Sequence, residues 1–236
     1  MNTHYDGNVN GWVFEHASGI PYFHENNLQD VAKICDYSKC PPQQVTGHSH
    51  LEGCHCFHYL SISLGSIVQI TIYNMGFGGG FAYGFAHPMH IHGNHFYVMK
   101  MGFPVYNNTN LYLTHNPDIA CNESDNCNEK TWTNPNWLYG HIPGMNTRNP
   151  SLRDTITVPM GGYIVIRFRA TNPGWWYAHC HLQNHDMAGM AFVLKIGNHS
   201  QMSAPPPTFP KDCGIFEAPP LNFQKFEEFF GNGINI

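Results

Sequence analysis

Charge is scarce in this 236-residue chain: Asp, Glu, Lys and Arg make up 11% of it, and Lys plus Arg number only 11. With a formal net charge of -5 besides, no basic patch suited to nucleic acid or to an anionic lipid surface stands out. Long apolar runs are missing too, and no stretch approaches the roughly 20 residues that span a bilayer as a helix. Convincing 3.6-residue periodicity is absent over any long stretch, which leaves strands as the main elements. The opening Met1-Asn2-Thr3-His4-Tyr5 has neither the charged nor the apolar region of a signal peptide, so the chain reads as a fragment or processed piece of a longer precursor.

What is present is apolar and rich in histidine. Hydrophobic residues reach 42%, enough for one well-buried domain with extensions or for two small ones. Histidines number 17 and never run consecutively, which removes a purification tag and leaves metal binding or chance, to be separated by spacing. Cysteines stand at Cys35, Cys40, Cys54, Cys56, Cys121, Cys127, Cys180 and Cys213, beside Asn-X-Ser/Thr triplets at Asn107, Asn122 and Asn198. Paired cysteines and acceptor triplets together point to an oxidising, secreted history.

Strand signals dominate from Cys56 onward. Ile67–Tyr73 is a β-branched run ended by the glycines of Gly76–Gly80, and His95–Met99 is a second candidate. Gly161-Gly162 opens Tyr163–Arg169, where basic residues alternate with apolar ones at period two, and Gly189–Leu194 reads as a last core strand. Trp12-Val13-Phe14 is one plausible strand near the start. Short strands with Gly and Pro punctuation predict an all-β fold, an antiparallel sandwich. Residues 1–34 read as a lead-in from a preceding domain or linker, 35–197 as the domain, and 198–236 as a wrapping tail. The polar, Asn-rich stretch from Asn107 to Arg148 reads as a surface insert.

The chemistry concentrates in two segments. His179-Cys180-His181-Leu182-Gln183-Asn184-His185 is followed by Met190, and His87-Pro88-Met89-His90-Ile91-His92-Gly93 is a second dense cluster. A thiolate, two imidazoles and a weak axial thioether form the ligand set of a blue copper site. Cys180, His185 and Met190 offer three of those groups from one loop, and the other cluster offers the second imidazole. Neighbours in a strand point to opposite faces, so His179 and His181 turn away from whatever Cys180 faces. They are placed to hold a second metal centre, with His90 and His92 as an equivalent pair.

These segments resemble the two C-terminal copper motifs of multicopper oxidases. Asn149-Pro150, Arg153-Asp154-Thr155, Val158-Pro159, Gly161-Gly162-Tyr163, Arg167-Phe168, Asn172-Pro173-Gly174 and Phe209-Pro210 extend the resemblance to animal laccases, as does Cys54-His55-Cys56. The resemblance implies a cupredoxin-like Greek-key β-sandwich, with His87, Cys180 and His185 binding type 1 copper and Met190 axial. It assigns His90 to type 2 copper, and His92, His179 and His181 to the type 3 pair. It implies oxidation of a small aromatic substrate, a phenol or aromatic amine, at His185 and Cys180, with dioxygen as acceptor. Ferrous iron is the runner-up substrate, and an electron-transfer or copper-holding cupredoxin is the non-enzymatic alternative.

One departure stands out. The family builds its cluster from four His-X-His pairs, and this chain carries the last two, so N-terminal cupredoxin domains of the same polypeptide or another chain must supply the rest. His48-Ser49-His50 looks like a third pair but lacks the expected neighbours. Cys121 and Cys127 are expected to close the insert, and Cys35, Cys40, Cys54 and Cys56 to pair among themselves in an order spacing does not decide. Cys213 is left over, and related oxidases tether this tail to the first domain. Zinc held by Cys54, His55, Cys56 and His58 is a lesser alternative. Met75, Met89, Met99, Met101 and Met160 read as core filler, and Trp175 and Trp176 as packing beside the copper loop.

Overall fold

The computed structural model describes residues 2–4, 7–39, 54–75, 84–121, 132–138 and 140–211. Strands run in chain order as β1 (Asn2–His4), β2 (Asn8–Val9), β3 (Trp12–Phe14), β4 (Cys54–Cys56) and β5 (Tyr59–Ile62). Then come β6 (Ile67–Asn74), β7 (His87–Ile91), β8 (Phe96–Gly102), β9 (Val105–Tyr106) and β10 (Tyr112–Thr114). The last are β11 (Ser151–Arg153), β12 (Thr155–Val158), β13 (Tyr163–Arg169), β14 (Gly174–Cys180) and β15 (Ala191–Ile196). One sheet has the order β11-β8-β13-β6-β1-β2-β3-β4, the other β12-β7-β14-β15-β5, and β9-β10 is a separate hairpin.

The two large sheets share one core, which makes the molecule the all-β sandwich the strand signals anticipate, in keeping with the cupredoxin-like fold the resemblance implies. Alternation decides which residues enter it. From β6 and β13 come Ile70, Ile72, Ile164, Ile166 and Phe168; from the facing sheet come Met89, Ile91, Ala178, Phe192, Leu194 and Ile196. Each large side chain removed from water here contributes about 1.5–3 kcal/mol. Pairing is mixed and not wholly antiparallel: β1 with β6, β3 with β4, and β5 with β15 run parallel. Parallel neighbours need long crossovers, so strands distant in sequence meet here without any local turn to announce them.

The residues before Cys35, expected as a lead-in, contribute β1, β2 and β3 to the larger sheet. The insert is more than a polar excursion. Its Ile119, Cys121, Trp132, Trp137, Ile142 and Met145 cover the outer face of that sheet, against Tyr73, Met99, Tyr163 and Val165. Asp118 pins it down, accepting hydrogen bonds from the Tyr163 hydroxyl and from Lys100 Nζ, the latter at 2.9 Å. That second apolar layer explains why β13 is buried on both faces until Arg167.

Cys35 and Cys56 form a disulfide with each other, and Cys54 and Cys121 each belong to a further disulfide. With both sulfurs committed, the zinc alternative at Cys54 and Cys56 falls away. Cys40, Cys127, Cys213 and His48-Ser49-His50 lie outside the described residues, as do Gly76–Gly80 and the chain beyond residue 211. Met75, Met89 and Met99 are buried in apolar clusters, as filler should be.

Candidate metal centre

The centre is built on the antiparallel pair β7–β14, where Met89 lies opposite Cys180 and His90 opposite His179. Odd positions of β7 (His87, Met89, Ile91) are buried, while Pro88 and His90 are half-buried. On β14 the even positions, Ala178 and Cys180, enter the core, and His179 turns to the other side. The two sets of candidate ligands therefore occupy opposite faces of a single strand pair, as the alternation of the sequence requires.

On the core face, His87 Nδ1, His185 Nδ1 and Cys180 Sγ converge. The two nitrogens are 3.1 Å apart, and the sulfur is 3.7 Å from His87 and 3.6 Å from His185. A triangle of these edges has its centre about 2 Å from every corner, the bond length of a first-row transition metal to imidazole and a few tenths of an ångström under that to thiolate. Among the described residues this is the one group of three or more His, Cys, Asp or Glu with such convergence. The residues present fit a trigonal His₂Cys copper site.

The loop that closes this triangle is held by its own backbone. After β14 the chain makes a single helical turn, Gln183–Met187, with the His185 amide bonded to Leu182 O at 2.9 Å. Met190 N donates to His185 O at 2.9 Å and Cys180 N to Met190 O at 3.0 Å, which ties Met190 beside the cysteine. Met190 is fully buried in the same cluster as Cys180. Gly93 follows His92 at a φ of +64°, and a Cβ there would stand 2.2 Å from the Trp176 ring. The turn after the His-X-His pair thus admits only glycine, because Trp176 fills the space.

Electrostatics prepare the ligands differently. Burial, aided by neighbouring His185, drives the His87 imidazole down to about 3, so it stays neutral with a lone pair to give. Burial pushes the Cys180 thiol up to about 11, so a metal must displace its proton. Cys180 is the free cysteine among those described. His185 is half-buried, against the exposed ring of Phe85 at 5.5 Å.

On the opposite face four imidazoles gather. Ring centroids of His90 lie 4.8 Å from His92 and 5.8 Å from both His179 and His181, and His179 is 5.4 Å from His181. His90 Nδ1 donates to Asp154 O at 3.0 Å, with the Thr155 hydroxyl at 2.8 Å. His179 Nδ1 donates to Cys180 O at 3.0 Å, with Asp186 Oδ1 at 3.5 Å. A carbonyl only accepts, so both rings carry their proton on Nδ1 and present a bare Nε2. His179 Nε2 and His92 Nε2 meet at 3.2 Å. Burial, helped by neighbouring imidazoles, lowers the pKa of His92 and of His179, while Asp186 pulls each of them back up. His92 and His181 are exposed, so this face is open where the other is closed.

The structure brings together all of His87, Cys180 and His185 on one side, and His90, His92, His179 and His181 on the other. Sequence reasoning missed the groups that orient them. Tyr177 stacks on His179 at 4.8 Å and donates to Asp186 Oδ1 at 2.7 Å, and Phe85 flanks His185. Tyr177 lies in the same strand, two residues before His179 on the same face, so alternation held its signal. Phe85 carried none.

The model of the multicopper oxidase family matches residues 29–200. The chain belongs to that family, whose members are copper oxidoreductases. It is 36% identical over 124 residues to Laccase-25 of Oryza sativa subsp. japonica, covering 52% of this chain and 16% of that protein. It is 35% identical over 130 residues to Laccase-7 of Arabidopsis thaliana, covering 53% of this chain and 17% of that one. The matched stretch is thus a small part of these relatives. Among solved structures it is similar to Fet3p, described as a multicopper oxidase that functions in iron import, at 23% identity and a TM-score of 0.42, covering 70% of this chain and 26% of that chain. It is also similar to the laccase of Botrytis aclada, at 20% identity and a TM-score of 0.41, covering 74% and 25%.

Proposed function

We infer that this chain is the C-terminal copper domain of a laccase-like oxidase, which takes electrons one at a time from phenolic or aromatic amine substrates and reduces dioxygen to water. In this reading the cupredoxin domain expected over 35–197 also takes in β1, β2 and β3 from the 1–34 segment, with 198–236 as a tail after it. His87, Cys180, His185 and Met190 would hold type 1 copper; His90 would serve type 2 copper, and His92, His179 and His181 the type 3 pair. The observation that carries the reading is the shared strand end: Cys180 belongs to the closed triangle, and its covalent neighbours His179 and His181 belong to the open imidazole face. A cupredoxin with a lone electron-transfer site has no use for that second face.

Copper, when bound, supplies the one-electron couples and the oxygen chemistry. The chain supplies geometry. His185 is half-buried, its ring 5.5 Å from that of Phe85, which is 45% exposed, and Leu182 and Met187 of the same loop are 39% and 79% exposed. Apolar side chains around an imidazole edge suit a small aromatic substrate. Ferrous iron would want carboxylates there, and the one adjacent acid, Asp186, is turned to Tyr177 and His179. Cys180 joins that entry point to both cluster histidines through a few covalent bonds. The open face calls for histidines from N-terminal cupredoxin domains, in a secreted protein.

The test is an optical and EPR spectrum of the copper-loaded chain with copper counted per molecule. Intense blue absorption with about one tightly held copper per chain agrees with a closed type 1 site and an incomplete cluster. Bound copper without the blue thiolate band sinks the assignment of Cys180, and the oxidase reading with it.

A further inference from the structure

The hairpin of β9 and β10 stands apart from both large sheets, and its surface is unusually apolar. Val105, Tyr106, Leu111 and Leu113 are 37%, 49%, 63% and 62% exposed. Scattered exposed leucines need no explanation, but two exposed aliphatic side chains sharing one side of so short a hairpin, as Val105 and Leu111 do, make an apolar face that soluble proteins usually cover. At its tip lies Asn107-Asn108-Thr109, an Asn-X-Thr triplet.

Tyr106 pairs with Tyr112, and Asn107 N donates to Leu111 O at 2.8 Å, so Asn107 and Leu111 stand opposite each other. Alternation then puts Val105, Asn107 and Leu111 on one side of the hairpin. The tip is well ordered by hydrogen bonds to Asn107 Oδ1, from Thr109 N at 2.9 Å, Thr109 Oγ1 at 2.8 Å and Leu111 N at 2.9 Å. The carbonyl oxygen of the amide is thereby held inward, and residues 105–111 are all exposed. Asn198-His199-Ser200 shares the hydroxyl contact, Ser200 Oγ to Asn198 Oδ1 at 2.8 Å, but sits in the cap of a short 3-10 turn.

The geometry points to Asn107 as an N-glycosylation site whose glycan lies over the apolar face of its own hairpin, making that face a sugar-covered surface and not a protein interface. The proposal rests on the secreted reading. In the modification, Nδ2 forms a bond to the anomeric carbon of a polyprenyl-diphosphate-linked oligosaccharide. The sugar–oxygen bond to the diphosphate breaks, the lipid diphosphate leaves, and the amide proton passes to a base of the transferase. The glycan is bulky and water-loving on its outer side, and it caps Val105 and Leu111 where a protein partner would otherwise sit.

The experiment secretes the whole chain from a eukaryotic host behind an added leader and reads Asn107 and Asn198 by peptide mass spectrometry. Asn107 is expected to be occupied in most molecules. Enzymatic trimming of the folded wild-type chain to a single sugar should raise binding of a hydrophobic dye several-fold and promote self-association. Asn107→Gln and Thr109→Ala should reproduce that, and Asn198→Gln should not. A bare Asn107 in the secreted chain overturns the proposal, as does trimming that changes neither dye binding nor association; the patch is then a protein interface. Because the leader imposes passage through the secretory pathway, these failures leave the secreted reading standing. That reading falls separately if the natural protein is found inside the cell.

Discussion

Acid should destabilise this domain through His58, a residue with no place in the metal chemistry. Its side chain is 4% exposed, set edge-on to Trp12 at 4.8 Å and beside Phe192 at 6.0 Å, with Nδ1 buried and unpartnered. Burial lowers its pKa from an ordinary 6.5 to about 4. The unfolded chain takes up this proton near pH 6.5, while the folded chain resists until about pH 4. Stability is therefore intact above pH 6.5, declines as the pH falls, and has lost the whole contribution below about 4. At 1.36 kcal/mol per unit the loss comes to about 3 kcal/mol. In a chain of this size that is worth about 6–12 °C in melting temperature. His87 titrates in the same direction when no metal is bound, so wild type alone does not isolate the effect. The clean comparison is His58→Phe against wild type, by denaturant unfolding at pH 7.5 and pH 4. Phenylalanine keeps the ring contacts and removes the proton acceptor, so the variant should lose about 3 kcal/mol less than wild type over that interval. Parallel losses in the two proteins would refute the argument.

Cys180→Ser should leave the fold intact, since Cys180 makes no disulfide, and should abolish the blue thiolate absorption; circular dichroism and optical spectra read the two separately. Copper uptake by the closed site should release about one proton from Cys180 and strengthen about tenfold per pH unit below pH 11, as competition titrations would record. Gly93→Ala should cost about 2–4 kcal/mol in denaturant unfolding, because the residue has a φ of +64° and its Cβ would meet Trp176. Removing the Cys35–Cys56 disulfide by paired serine substitution should cost about 2–4 kcal/mol, read by the same unfolding curves.

Much of the centre was legible in the linear chain. Ligand types and their spacing marked the two segments 87–93 and 179–190, the resemblance singled out His87 within the first, and period-two alternation separated Cys180 from His179 and His181. The same alternation marked Tyr163–Arg169 as a strand, and the strand occupies those residues. These features survive because they are local: a side chain's face depends only on its position in the strand that carries it.

What only the tertiary structure decided depends on partners distant in sequence. That His87 meets His185 at 3.1 Å, that Asp154 O and Thr155 set the proton of His90, and that Tyr177 grips Asp186 all depend on which strands lie side by side. The parallel pairings of β1, β3 and β5 have no turn to signal them, and the polar composition of the insert concealed the few apolar residues that cover the outer sheet. Pairing is chosen by burial summed over the whole sandwich, a quantity no short window of sequence contains.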